Sequence, residues 1–108
     1  MRVAAVISDL IIFSRIDSAA RAAGAFLVRV DSPADLWGDY DLVLVDWSAR
    51  EHAWADPLAD LARGPSTTRL ILFGPHTDLE AHAAARAAGL GPLMARSKLI
   101  ADLDRLLR

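Results

Sequence analysis

Asp39-Tyr40-Asp41-Leu42-Val43-Leu44-Val45-Asp46 is the stretch on which the fold turns. Leu42 to Val45 are all apolar, two of them are β-branched, and none is separated from the next by a polar residue. Such a run is expected of a strand covered on both faces, as in a parallel sheet flanked by helices. Asp46 ends the run. It falls where open parallel sheets gather their functional groups, just beyond the carboxyl end of a strand.

Working outward toward the amino terminus, Val3–Ile7 is a second unbroken apolar run, and Phe26–Val30, interrupted only by Arg29, reads as another strand. Between them, Ile12, Ile16, Ala19, Ala20 and Ala23 recur at helical spacing, which predicts a helix over Leu10–Ala23 ended by Gly24. Ser32-Pro33 reads as an N-cap with proline in the first turn, opening a short helix near Ala34–Trp37 that Gly38 and Asp39 end.

Toward the carboxyl terminus, Ser48-Ala49-Arg50-Glu51 fits a capping box. Pro57 disfavours helix at Asp56, so a second start is expected, with Asp56 capping Pro57–Ala62 and Gly64-Pro65 closing it. Leu70–Phe73 reads as the fourth strand. Asp78 caps a helix over Leu79–Ala88 ended by Gly89, and Leu93–Ala95 is a short fifth strand. Ser97 is the expected cap of a last helix striped by Leu99, Ile100, Leu103, Leu106 and Leu107. Five strands alternating with five helices, joined by short right-handed crossovers, favour an open parallel sheet with helices on both faces.

Composition excludes several classes. A chain of 108 residues, 54% apolar and 24% charged, is expected to form one packed domain over residues 1–108. Net charge is −2 and arginines are interspersed with aspartates, so no basic face is available for nucleic acid. The absence of cysteine excludes disulfides and thiolate metal sites. Asp9, Arg15 and Asp17 interrupt the apolar start, and no apolar run approaches the roughly 20 residues of a membrane span. A cytoplasmic location without membrane contact is expected. Ser8-Asp9-Leu10-Ile11 follows the first strand where a nucleotide-binding fold would place glycines, and no Ser/His/Asp or Cys/His arrangement offers a nucleophile elbow. No catalytic residues are assigned, and the chain is expected not to be an enzyme.

The residues just past each strand are Ser8-Asp9, Asp46-Trp47, Gly74-Pro75-His76 and Arg96-Ser97. With Asp39–Asp46, and with Ala87-Ala88-Gly89 followed by Leu93-Met94-Ala95-Arg96, the chain resembles the response-regulator receiver domain over nearly its whole length. That resemblance implies a flavodoxin-like five-stranded parallel sheet of order 2-1-3-4-5. It matches Asp46 with the phosphoacceptor aspartate and Asp9 with one of two acidic residues that hold magnesium. The departures are specific. Ser8 replaces the other acidic residue, Gly74 the switch Ser or Thr, Arg96 the phosphoryl-contacting lysine, and Ser97 the proline after it.

The chain therefore looks like a pseudo-receiver in a two-component or phosphorelay setting. Two carboxylates, Asp9 and Asp46, leave magnesium binding weakened. Without a hydroxyl at Gly74, a phosphoryl group would lose a charge-assisted hydrogen bond of roughly 1.5–3 kcal/mol. Arg96 is expected to pair with Asp46 or Asp9 in place of the metal.

His76 is a site neighbour that could join the two aspartates on a metal, contact a phosphoryl group, or be a plain loop histidine; His52 and His82 are expected to be solvated. Trp37, Trp47 and Trp54 are either interface anchors or cover for the sheet end, with Trp47 beside the carboxylate site. The alanine-rich fourth helix can pack on the sheet or pair two copies in a homodimer. Signalling through a protein partner, a kinase or another regulator, is the leading expectation. Two alternatives stand beside it: a working single-domain regulator phosphorylated on Asp46 with magnesium, and a small-molecule-binding or enzymatic domain using the same cleft.

Overall fold

The apolar runs form five strands, β1 (Arg2–Val6), β2 (Phe26–Val30), β3 (Leu42–Asp46), β4 (Arg69–Gly74) and β5 (Met94–Ala95). The computed structural model describes residues 1–64 and 67–108. All neighbours pair in parallel, in the order β2-β1-β3-β4-β5. The sheet is the expected flavodoxin-like one, and the strand boundaries lie within one residue of the sequence reading, the usual scatter at element ends.

Because side chains alternate along a strand, each buried strand feeds two cores. Val3, Ala5, Leu42, Leu44, Ile71 and Phe73 point to one face. Ala4, Val6, Val43, Val45 and Leu72 point to the other. The first face is covered by α1 (Leu10–Ala23) and α4 (Arg96–Leu106), through Ile12, Ile16, Leu99 and Leu103. The second is covered by α2 (Ala55–Arg63) and α3 (Leu79–Ala87), through Leu58, Ala81 and Ala85, with Trp47 and Trp54 filling the remaining space.

Four α-helices are present among the described residues, where five were expected. The β2–β3 connection holds only a single 3₁₀ turn, Pro33–Asp35. Ser32 caps it as expected, accepting from the Ala34 amide at 3.3 Å, but Leu36 leaves the helical region and nothing propagates. Gly24, at φ 70°, closes α1 in the left-handed region, and Asp78 caps α3 by accepting from the Ala81 amide at 3.0 Å.

Three other cap expectations fail. The Ser48–Glu51 box does not form, because Asp46 caps that turn itself, and 3₁₀ turns occupy Trp47–Ala49 and His52–Trp54. α2 begins at Ala55, with Trp54 as its uncapped N-terminal neighbour, so Asp56 lies in the first turn and not at the cap. α4 begins at Arg96 after Ala95, which leaves Ser97 inside the helix. Pro65, expected to help close α2, lies outside the described residues.

Candidate functional site

The carboxyl ends of β1, β3, β4 and β5 present Ser8-Asp9, Asp46-Trp47, Gly74-Pro75 and Arg96 along one rim of the sheet. Asp46 is the only polar side chain in the buried core among the described residues, at 3% exposure. A carboxylate this deep must be hydrogen-bonded to be tolerated. Ser48 meets that need twice. Its backbone N–H donates to Asp46 Oδ1 at 3.1 Å and its hydroxyl donates to the same oxygen at 2.5 Å. Oδ2 accepts no hydrogen bond among the described residues.

Arg96 reaches this carboxylate only indirectly. Its Nη2 donates to Ser48 Oγ at 3.4 Å, so guanidinium, hydroxyl and carboxylate form a chain. The expected ion pair of Arg96 with Asp46 or Asp9 is absent among the described residues. Ser48 stands instead between the guanidinium and Oδ1. Arg96 Nε is buried and has no partner. A cation in the first turn of α4 also opposes the helix dipole, so local helix physics does not explain its position.

Asp9 has partners of its own. It is the N-cap of α1, and its Oδ1 accepts from the amides of Ile11 at 3.0 Å and Ile12 at 3.3 Å. The side chain is exposed, and Ser8 beside it is exposed as well. No three His, Asp or Glu side chains gather as a metal-holding group among the described residues. The Asp9–Asp46–His76 grouping is thus not formed. His76 is an exposed loop residue whose backbone oxygen lies 3.0 Å from His82 Nε2. His82 is therefore engaged, and not merely solvated as expected.

Gly74 is buried, and its φ is not in the left-handed region. A Cβ there would rest 3.7 Å from Leu93 Cδ2 and from the Ser48 amide, ordinary contact distances. Neither conformation nor space demands glycine here.

Trp47 is locked: it is 2% exposed, and its indole Nε1–H donates to the Ala81 carbonyl oxygen at 2.9 Å. The residue after Asp46 is thereby tied to α3. The Arg50 guanidinium lies 5.8 Å from the Trp47 ring centre and covers it. Trp54 is also buried, whereas Trp37 is 83% exposed.

Solved structures share this architecture. The chain superposes on the receiver domain of the Francisella response regulator 1452 with a TM-score of 0.67 and 16% identity, covering 98% of this chain and 95% of that one. A CheY-like response regulator receiver domain protein from Methanospirillum hungatei JF-1 gives 0.69 at 14% identity, covering 98% and 92%. A response regulator receiver domain protein from Clostridium thermocellum gives 0.65 at 14%, covering 98% and 93%. The fold is that of a response-regulator receiver domain. No protein-family model and no curated protein matches the sequence.

Within that receiver fold, the rim residues chosen from the sequence do lie at one end of the sheet. Asp46, Gly74 and Arg96 are brought together there, while Asp9 is committed to α1. Ser48 is the residue that sequence reasoning missed. Its position two residues after an aspartate is the spacing of a local Asx turn, a signal that the apparent capping box concealed. Among the described residues, no helix is long and apolar enough to cross a membrane.

Proposed function

We propose that the chain is a pseudo-receiver: a non-enzymatic, cytoplasmic signalling domain that acts by binding a protein partner, a kinase or another regulator, without phosphoryl chemistry at Asp46. The observation that carries this is the double hydrogen bond from Ser48 to Asp46 Oδ1. It gives the buried carboxylate a structural task, as cap of the turn after β3. The same serine stands between Arg96 and the carboxylate. Gly74 offers no hydroxyl to a phosphoryl group, and Asp9 already serves two amides of α1. Association is then the remaining route for a signal. Magnesium has no part in this function.

The unbonded Oδ2 of Asp46 favours a second reading, a working receiver in which that oxygen attacks a phosphoryl donor. Intact-mass measurement after incubation with magnesium and acetyl phosphate separates the two. No adduct is expected. A stoichiometric phosphoryl adduct that Asp46→Asn abolishes would establish the working receiver and end the pseudo-receiver assignment.

A further inference from the structure

A groove of about 580 Å³ opens at the carboxyl rim between the first turns of α1 and α4. Ligand pockets typically span about 300–1,000 Å³. Its walls divide by chemistry. Ile11, Ile12, Pro75 and Ile100 are apolar, while Arg15, Arg96, His76 and Ser97 are polar. Neither arginine forms an ion pair among the described residues. Arg96 Nε is moreover buried without a hydrogen-bond partner, an arrangement proteins rarely leave unanswered.

The eleven-residue α4 starts here without a side-chain cap, so first-turn amides remain as donors beside Ser97. Of the carboxylates two residues from a lining position, Asp9 and Asp78 accept from helix amides, while Asp17 and Asp102 pair with Arg21, Lys98 and Arg105, so none forms an ion pair with Arg15 or Arg96. Ile11, at 78% exposure, stands on the α1 side, aliphatic surface that an apolar ligand would cover.

We infer that this groove binds a small amphipathic anion: a carboxylate or phosphate head held by Arg15, Arg96 and the start of α4, with a short aliphatic body lying on Ile11, Ile12 and Ile100. The guanidiniums supply charge-assisted, bidentate-capable donors for the head. The isoleucines supply the apolar floor. This site is separate from the partner-binding role proposed above.

Titration of the whole chain with octanoate, octylamine and octanol, followed through the isoleucine methyl resonances, tests it. Octanoate is expected to saturate, with the shifts concentrated at Ile11, Ile12 and Ile100, and the amine and alcohol to bind far more weakly. Arg15→Gln should weaken octanoate roughly tenfold by removing one charge-assisted contact. Ile100→Asp should abolish binding while the circular dichroism stays native, and Arg63→Gln, an exposed change on α2 across the sheet, should leave binding unchanged. Equal binding of octylamine or octanol, an unaltered Arg15→Gln titration, or shifts that never saturate would each overturn the assignment. So would an acidic peptide that binds the groove more tightly than octanoate, which would make this a protein-docking face instead.

Discussion

The two faces of the sheet are built from the same strands yet covered by different means. On one face, α1 and α4, 14 and 11 residues long, lay regular aliphatic stripes over Val3, Leu44 and Phe73. On the other, α2 and α3 are nine residues each, and 3₁₀ turns replace the chain that a longer helix would supply. Two buried tryptophans make up the missing cover there. A short helix has few side chains to present to the sheet, so bulk must come from aromatic residues in the turns. The tryptophan-filled face also carries the link from Asp46 to α3, because Trp47 follows Asp46 directly. The regular face holds the fold, while the irregular one ties the candidate site to a helix.

A matched pair of truncations gives the largest expected effect. Leu99 on α4 and Leu58 on α2 are both fully buried, one on each face. Leucine-to-alanine changes in cores cost about 2–5 kcal/mol, depending on how far the site can collapse. Leu99→Ala is expected near the top of that range and Leu58→Ala near the bottom, since turns and short helices can settle into the void. Urea unfolding of both variants checks this. Equal losses would mean that the two covers are equally rigid.

The tryptophans sharpen the same comparison at smaller scale. Trp47→Phe removes the hydrogen bond to the Ala81 carbonyl, worth about 0.5–1.5 kcal/mol, together with part of the packing. Trp54 is buried as deeply, but its Nε1–H has no partner. Trp54→Phe removes an unsatisfied donor, whose burial is itself unfavourable. It should therefore cost less than Trp47→Phe, as thermal melts of the two variants would show. The reverse order would deny Trp47 its role in anchoring α3.

The face-by-face difference also separates what was legible in the sequence from what was not. Uninterrupted apolar runs such as Leu42–Val45 admit one interpretation, and the order of the parallel sheet followed from the resemblance they carried. The aliphatic stripe of α4 was equally plain, since Leu99, Leu103 and Leu106 recur at helical spacing and are buried. The segment after β3 was not. Ser48-Ala49-Arg50-Glu51 satisfies a local capping rule, but the backbone there is governed by the side chain of Asp46, two residues before Ser48. At Arg96 the sequence indicated the right end of the sheet and the wrong partner. Charge complementarity suggested a carboxylate, and the intervening hydroxyl of Ser48 could only be placed once the turn had been seen. Ser97 shows the same limit in reverse: its cap propensity yielded to a helix that began at Arg96.

The smallest expected effect lies on the outer surface of the regular face. Asp102 accepts hydrogen bonds from Lys98 and Arg105, each at 2.8 Å. The Lys98 hydrogen bond chiefly holds its carboxyl below the ordinary aspartate value. The charges of both cations and the Arg105 hydrogen bond act in the same direction, and partial burial opposes them. A carboxyl whose folded pKa lies below its unfolded one stabilises the fold above the unfolded value, and that contribution disappears as pH falls through the folded value. Asp102→Asn should thus lower the melting temperature slightly at neutral pH, and the two melting curves should converge below the ordinary aspartate range. Added salt should shrink the gap too, because the cations are exposed and screened. The lysine precedes its acid by four residues, the weaker orientation for a helical pair, which further limits the effect. A difference that survives in acid would assign Asp102 a packing role instead of an electrostatic one.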